Sequence, residues 1–354
     1  MIKIKAFKIV FSFCIWTKRK MNQTSSFRSL ISIADVLFPL FKNSIIVIRV
    51  YKIGFLLTFL LGFVSCLLSL STFMQATFRK HSTGCLFIAL LMSNIFYLII
   101  CVFDFVEFGL QVRFWHRTPY TELCRFRTFI NNFSQFTTAW FLTFICIDQW
   151  IRTRFPSQAV RCCQRKSTLI VIIILLLIDI ALHAHILTSR FGELIPQYTM
   201  LACGPYITEK SYFSFYFNRW SIIQIVLSFI IPMSLMLIIV ADIVIYNIYK
   251  RASIQPNPSC LVTTTEVILH KKQLFIITAI TVALLCVTSI PITVYRFRMK
   301  VNTNYLDMLA QPLDTWAILT WFQSLNYALN FYLYIFISRL FRKQFRKLFW
   351  FIKK

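Results

Sequence analysis

The sequence predicts an all-α membrane protein: a bundle of seven transmembrane helices followed by a C-terminal amphipathic helix. The 354-residue chain is 58% hydrophobic and only 14% charged, whereas a soluble domain is nearer half apolar and a quarter charged. Seven long apolar runs recur along the chain, and its last residues combine basic and apolar side chains at helical spacing. High hydrophobicity excludes a disordered chain and argues against a soluble enzyme.

Each apolar run is long enough to cross a membrane, because about 20 residues span a hydrocarbon layer of about 30 Å. Each must be helical, since hydrocarbon offers the backbone no hydrogen-bond partner. Asp179 and Asp242 interrupt the fourth and fifth runs. No repeat relates the two halves of the chain, which argues against a transporter built from two repeats. The runs are residues 52–79, 82–103, 128–147, 167–189, 220–249, 273–295 and 315–338.

The chain divides into an extracellular N-terminal tail (1–52), a seven-helix domain (53–338) and a cytoplasmic amphipathic helix (339–354). Residues 1–20 are predicted to be either a leader or sequence upstream of a start at Met21. Asn22 begins an Asn-Gln-Thr sequon, which is typical of glycosylation on an extracellular tail. The distribution of Lys and Arg between the loops gives only weak support to an extracellular N-terminal tail.

The basic residues of the chain point to lipid as a partner. There are 38 Lys and Arg against 12 Asp and Glu, which gives a net charge of +26. They fall between apolar runs, so they favour anionic headgroups over nucleic acid. The C-terminal segment should lie along the inner leaflet, because its basic residues are interleaved with Leu340, Phe341, Phe345, Leu348 and Phe349.

The third run carries the most specific pattern. Cys124 precedes it, and Asp148-Gln149-Trp150 ends it 24 residues later, about 36 Å along a helix. A second cysteine, Cys203, lies between the fourth and fifth runs. This arrangement resembles the rhodopsin-like (class A) G protein-coupled receptor family, of which the chain looks like a divergent member. Further residues that match the family pattern are Asn94, Pro156, Pro232, Pro291, Asn330, Tyr334, Ser338, Phe341 and Arg342.

The sequence also departs from the family pattern at its switch positions. Gln149 and Trp150 replace the Arg and Tyr of the third-helix motif, and Phe331 replaces the Pro of the seventh-helix motif. Ser289 replaces a Trp before Pro291. The residues to which the resemblance assigns coupling or switching are Asp148, Gln149, Trp150, Arg152, Pro291, Asn330 and Tyr334.

The resemblance implies a disulfide between Cys124 and Cys203. Apart from Cys14 in the possible leader, these two cysteines alone would face the oxidising exterior in the family's orientation. The bond would fix the second outer loop to the top of the third helix and stabilise the fold by about 2–4 kcal/mol. The alternative is two free thiols.

Two acidic residues near the end of the second run, Asp104 and Glu107, fall on one helical face. By family register they point into the ligand cavity, where they would attract a cationic group of a ligand. The alternative is that they sit at headgroup level or pair with a basic neighbour. The basic residues considered are Arg113, Arg125 and Arg127.

Other candidate ligand contacts follow from family register. Asn131 occupies the position of the amine receptors' Asp, which argues against a small biogenic amine. Asn131, Asn132 and Gln135 form a polar stripe for which interhelical hydrogen bonding is the first interpretation and ligand contact the second. The remaining candidates are Gln224, Tyr295, Trp316, Thr320 and Gln323.

At the opposite end of the third run, Asp148 and Arg152 stand one turn apart and can pair along the helix. Gln149 lacks the charge of the family's Arg, so we hypothesise that Arg152 or Arg154 supplies part of the cationic contact to a G protein. The alternative is that Asp148 only caps the helix end in headgroup water.

Three further local features are an acidic residue of the fifth run, an acid–histidine pair of the fourth run and two prolines. Asp242 is expected to pair with Lys271 or Lys272 beside the sixth run. Asp179 and His183 provide only two convergent ligands, whereas a metal needs three or four, so no metal site is predicted. Pro232 and Pro291 lack the backbone N–H and should kink their helices.

Together these features predict a multi-pass plasma-membrane receptor that binds an extracellular ligand, with a peptide as one candidate, and signals to a heterotrimeric G protein. No enzyme motif or cofactor site is predicted, since GxxxxGK[ST], HExxH and GxSxG patterns are absent from the sequence. The alternatives are a seven-helix receptor that does not couple to a G protein, and a transporter or channel.

Overall fold

The computed structural model describes residues 45–110, 112, 120–193, 203–206, 208–253, 261–302 and 313–352. Most of these residues are helical, as expected of an all-α membrane protein. Short helices occupy Ala76–Arg79 and Pro156–Cys162. The longer helices are α1 (Ile45–Phe73), α2 (Ser82–Gly109), α3 (Tyr120–Arg154), α4 (Arg165–Leu187), α5 (Lys210–Ser253), α6 (Leu261–Asn302), α7 (Leu313–Ile337) and α8 (Arg339–Ile352).

Several sequence predictions lie outside the described residues. They are the leader, the start at Met21, the Asn22 glycosylation site, Cys14 and Arg113. Lys271 and Lys272 belong to α6, but their side chains are also outside the described set.

Five of the described helices, α1, α2, α4, α5 and α6, are long and apolar enough to cross a membrane. The other two predicted spans, α3 and α7, are helices of 35 and 25 residues that fall outside this group. Amide and hydroxyl side chains lower their apolarity, and many of these are buried within the bundle, including Asn132, Thr138 and Asn330. In contrast, α4 exposes large apolar side chains such as Ile170 and Leu177, which suits contact with lipid.

The helices close into a ring in which α3 is central. Helix α3 packs against α2, α4, α5 and α6, while α1 packs against α2 and α7, and α6 packs against α7. Buried hydroxyls join α2 to α3: the Ser93 and Thr137 hydroxyls lie 2.6 Å apart, and Thr138 donates to Asn94 Oδ1 at 3.2 Å. Because these groups have no water to bond inside a membrane, such bonds fix the rotation of α3 relative to α2.

The first helix differs from its predicted bounds. The structure describes it from Ile45, seven residues before the predicted start at Lys52, and it includes a π-helical turn at Val50–Phe55. The predicted run to residue 79 is broken after Phe73, because Gln75 is extended (φ −60°, ψ 147°). Its side chain donates to the Gln344 carbonyl of α8 at 3.1 Å.

Close packing joins the start of α1 to the end of α2. Gly109 ends a π-helical turn at Phe105–Gly109. A Cβ at this position would lie 2.8 Å from Lys52 Cα, a distance that only a backbone shift could relieve. Glycine is therefore required here by the close approach of two backbones.

The sheet and the disulfide lie at one end of the bundle, here called the disulfide end. Strands β1 (Phe191–Glu193) and β2 (Cys203–Pro205) pair antiparallel, with Gly192 opposite Gly204. The structure contains the predicted Cys124–Cys203 disulfide, with Cα atoms 5.7 Å apart. It ties β2 to the first turns of α3 across 79 residues of sequence.

The other end of α3 defines the opposite face of the bundle, here called the Asp148 end. Helix α8 lies at this end and begins at Arg339, immediately after a break at Ser338. Phe341 is buried and packs on Phe73 and Tyr334, with ring centroids 5.6 and 5.7 Å apart respectively. Helix α8 is thereby held against α1 and α7 by its apolar face.

Candidate functional site

A narrow cavity opens between α3, α5, α6 and α7 in the half of the bundle nearer the disulfide. Three predicted ligand contacts, Gln135, Gln224 and Gln323, line this cavity. Arg296, which the sequence analysis did not select, lines it as well. The other lining residues are Ala139, Ile225, Ser228, Phe229, Leu285, Ser289, Thr293 and Tyr327.

The cavity's amides are partly engaged with one another. Gln135 Nε2 donates to Asn131 Oδ1 at 3.2 Å within α3, and Gln224 Nε2 donates to Asn132 Oδ1 at 2.6 Å between α5 and α3. The interhelical interpretation of this polar stripe therefore has support, and Asn132 is one of its acceptors. Gln323 is 8% exposed, and its Oε1 has no hydrogen-bond partner among the described residues.

Arg296 stands in α6 beside the cavity, and Trp316 packs against its guanidinium. Its Cζ lies 5.2 Å from the centre of the Trp316 ring, within the range of a cation–π contact. Its Nε is buried without a hydrogen-bond partner among the described residues. The sequence feature that could have identified Arg296 is its position as a cation five residues beyond Pro291, directly after the predicted sixth run.

Two other predicted contacts, Tyr295 and Thr320, lie near this cavity but do not line it. The rings of Tyr295 and Trp316 are 6.2 Å apart. The Tyr295 hydroxyl and Thr320 Oγ1 have no hydrogen-bond partners within the described part of the chain. Trp316 thus touches both Arg296 and Tyr295, so it belongs to the same group of side chains.

Asp104 is engaged by a neighbouring helix, which is the pairing alternative from the sequence. Arg127 of α3 donates from Nε to Asp104 Oδ1 at 2.8 Å, and its Nη2 also contacts the same oxygen. Asp104 and Glu107 are both only 5% exposed. The Asp104 carboxylate is therefore neutralised by α3, which leaves it poorly suited to attract a cationic ligand.

At the Asp148 end, the motif of α3 begins with a carboxylate bound to α2. Ser82 donates to Asp148 Oδ1 at 2.6 Å, and Thr83 donates to Oδ2 at 2.5 Å. The predicted pair with Arg152 is present, with Nε 3.0 Å from Oδ2. Asp148 is 6% exposed, so it is a buried junction between α2 and α3.

Gln149, the next residue, joins α3 to α6. Its Nε2 donates to Thr278 Oγ1 at 2.5 Å and lies 3.3 Å from the Leu274 carbonyl oxygen. Thr278 in turn donates to the same carbonyl at 3.1 Å. An uncharged hydrogen bond therefore connects α3 and α6.

Trp150 joins α3 to α5 through Asp242. Trp150 Nε1 donates to Asp242 Oδ2 at 2.8 Å, and Arg154 donates to both carboxylate oxygens at 2.6 and 2.9 Å. The structure pairs Asp242 with Arg154 of α3, whereas the sequence suggested Lys271 or Lys272, whose side chains lie outside the described residues. Sequence spacing did not reveal the rotation of α5.

The side chains of this three-residue motif point in three directions because of the geometry of an α-helix. Successive residues of an α-helix are rotated by about 100° around its axis. Asp148, Gln149 and Trp150 therefore project toward three different neighbours, which here are α2, α6 and α5. We call these contacts the α3 junction.

The remaining predicted switch residues lie in α6 and α7. Pro291 is inside α6. Asn330 is 2% exposed and Tyr334 is fully buried. The Tyr334 ring packs edge-on against Phe73 and Phe87, at 5.8 and 5.7 Å. Tyr334 therefore stabilises the contact of α7 with α1 and α2.

Asp179 and His183 of α4 form a buried pair one turn apart. His183 Nδ1 lies 2.6 Å from Asp179 Oδ1, and both side chains are inaccessible. His183 packs edge-on against Trp220 of α5 at 5.5 Å. This geometry indicates a structural role in joining α4 to α5.

Comparisons with known proteins do not identify a family. No family model matches this chain, and no curated protein matches it significantly. The function must therefore be inferred from the two groups of residues described above, the cavity around Arg296 and the α3 junction.

Proposed function

We propose that this protein is a seven-helix receptor of the plasma membrane that binds an extracellular ligand and signals to a heterotrimeric G protein. In this proposal α3 and α7 cross the membrane with the five more apolar helices. The cavity near the disulfide end receives the ligand. The Asp148 end faces the cytoplasm and presents the G protein contact.

Cysteine placement supports this orientation. The Cys124–Cys203 disulfide lies at one end of the bundle, and disulfides persist in an oxidising environment. Cys162 and Cys163 lie beside the Asp148 end as free thiols, one exposed and one partly exposed. The basic amphipathic helix α8 lies at the same end, where anionic inner-leaflet lipids would attract it.

The observation that carries the proposal is the α3 junction. One short segment of α3 is bonded to α2, α5 and α6 at the same membrane depth. If α6 moves away from α3, the bond between Gln149 and Thr278 must break while the contacts of Asp148 and Trp150 can persist. A ligand that favours the separated state would open a cytoplasmic cavity by shifting an existing equilibrium.

The proposal is tested by nucleotide exchange on purified G proteins. The full chain is reconstituted in lipid nanodiscs with a panel of G protein classes, with and without peptide extracts. We expect exchange that Asp148→Asn or Arg152→Gln reduces. Arg161→Gln is the matched control, because Arg161 is exposed near the same end. A folded, disulfide-intact receptor that drives no exchange on any member of the panel contradicts signalling.

A second candidate is a seven-helix receptor that binds ligand without coupling. This candidate is favoured because both arginines near Gln149 already form ion pairs, Arg152 with Asp148 and Arg154 with Asp242. Neither leaves an unpaired cation to replace the one missing at Gln149. Gln149→Arg separates the two candidates. If the wild type drives no nucleotide exchange and the variant does, the natural protein is a non-coupling receptor.

A further inference from the structure

We propose that the cavity binds a carboxylate group of the ligand, and that Arg296 is the residue that holds it. This inference rests on the proposed function, since it assigns a ligand chemistry to the proposed ligand cavity. It reverses the charge expected from the sequence, which pointed to a cationic ligand near Asp104 and Glu107.

The first argument is that no ion pair joins Arg296 to an acidic residue in the described part of the chain. Within the described residues it makes no hydrogen bond or ion pair, and its nearest ionisable neighbours are tyrosines: Tyr97, Tyr216 and Tyr327. Asp104, an acidic residue of the same half of the bundle, already forms an ion pair with Arg127. Arginine charge inside a membrane protein is costly without a counter-charge.

The second argument is the chemistry of the surrounding groups. Arginine presents N–H donors in a planar fork that matches a carboxylate. Gln135, Gln224 and Gln323 carry amide N–H groups around the same narrow space, and Thr293 contributes a hydroxyl. These groups can donate to the second face of a small bound anion, and no carboxylate is among the described residues that line the cavity.

The third argument is the small size of the cavity and the apolar part of its wall. Its wall includes Phe229, Leu285 and Tyr327, and Tyr327 stacks on Tyr97 with ring centroids 3.7 Å apart. A narrow space with one cation, several amides and a few apolar side chains suits a small carboxylate with an apolar part. A doubly charged or strongly hydrated anion would lose more solvation on entry than this site restores.

The first experiment needs no ligand. The melting temperatures of the purified, full-length wild type, Arg296→Met and the control Arg219→Met are compared in nanodiscs. Arg219 is an exposed arginine near the start of α5. Removing a charge without a partner should raise the melting temperature of the ligand-free protein, whereas the control should not change it. An unchanged or lower melting temperature for Arg296→Met overturns the proposal, since the guanidinium would then be solvated or structural.

The second experiment tests binding directly. Matched aromatic and fatty carboxylic acids, their primary amides and their amine analogues are each added at up to millimolar concentration. Carboxylates should raise the wild-type melting temperature while amides and amines do not. Arg296→Gln should lower carboxylate affinity at least about tenfold, and Arg219→Gln should preserve it. Equal stabilisation of Arg296→Gln, stabilisation by amines, or no stabilisation by any acid overturns the proposal.

These readouts do not depend on a G protein. Carboxylate binding that requires Arg296, combined with no nucleotide exchange, would refute signalling while leaving the anion site intact. Nucleotide exchange without any effect of carboxylates would refute the anion site and leave the signalling proposal intact.

Discussion

In the proposed receptor, the bond between Gln149 and Thr278 should hold the resting state. Thr278→Val keeps the shape of the side chain but removes the hydroxyl that accepts from Gln149 at 2.5 Å. Thr278 is 1% exposed, so water cannot replace that hydroxyl. The Gln149 amide keeps only a longer contact, 3.3 Å to the Leu274 carbonyl.

The expected effect is about 1 kcal/mol, the net contribution of one such hydrogen bond. If the bond exists only when α6 is close to α3, its loss favours the separated state by a factor of about 5. Basal nucleotide exchange should therefore rise about fivefold at equal receptor concentration. The assay is GDP release from the G protein that responds best in the panel, measured without ligand.

Two controls make this result interpretable. Thr288→Val changes another buried threonine of α6 whose hydroxyl bonds only to carbonyls of its own helix, at 2.8 and 3.3 Å. It should leave basal exchange unchanged. Gln149→Met combined with Thr278→Val should add little to either single change, because both remove the same bond. Additive effects, or equal increases with Thr288→Val, would refute the reasoning.

The remaining predictions concern stability and thiol chemistry. Cys203→Ser should lower the unfolding free energy by about 2–4 kcal/mol, measured as a lower melting temperature without reductant. Arg127→Met should destabilise the protein by about 3–5 kcal/mol because it leaves Asp104 buried without a counter-charge; Asp104→Asn in the same chain should recover part of the loss, and additive losses would contradict the pairing. Burial and a nearby carboxylate raise the pKa of the Cys163 thiol to about 12, so little thiolate exists at pH 8. A maleimide should therefore label exposed Cys162 first, as mass spectrometry of the peptides would show; faster labelling of Cys163 would contradict this geometry.

Local sequence patterns predicted the helical elements well. Apolar runs longer than a membrane is thick can only be helices, and each predicted run corresponds to a helix in the structure. The basic and apolar interleaving of the C-terminal segment likewise predicted a helix, which begins at Arg339. Element ends were less certain, as the break after Phe73 shows. A single extended residue, Gln75, stops a helix whose composition would allow it to continue.

The sequence by itself determined the helices and the local Asp148–Arg152 contact, because each depends on composition or on spacing within one element. The Cys124–Cys203 pair was implied by the family resemblance. Only the tertiary structure decided which helix each polar side chain meets. Asp242 turned toward Arg154, Asp104 met Arg127, and Arg296 was left among aromatic rings. The physical reason is that such partners depend on the rotation of every helix about its axis. That rotation is set jointly by packing across the whole bundle, which no single stretch of sequence encodes.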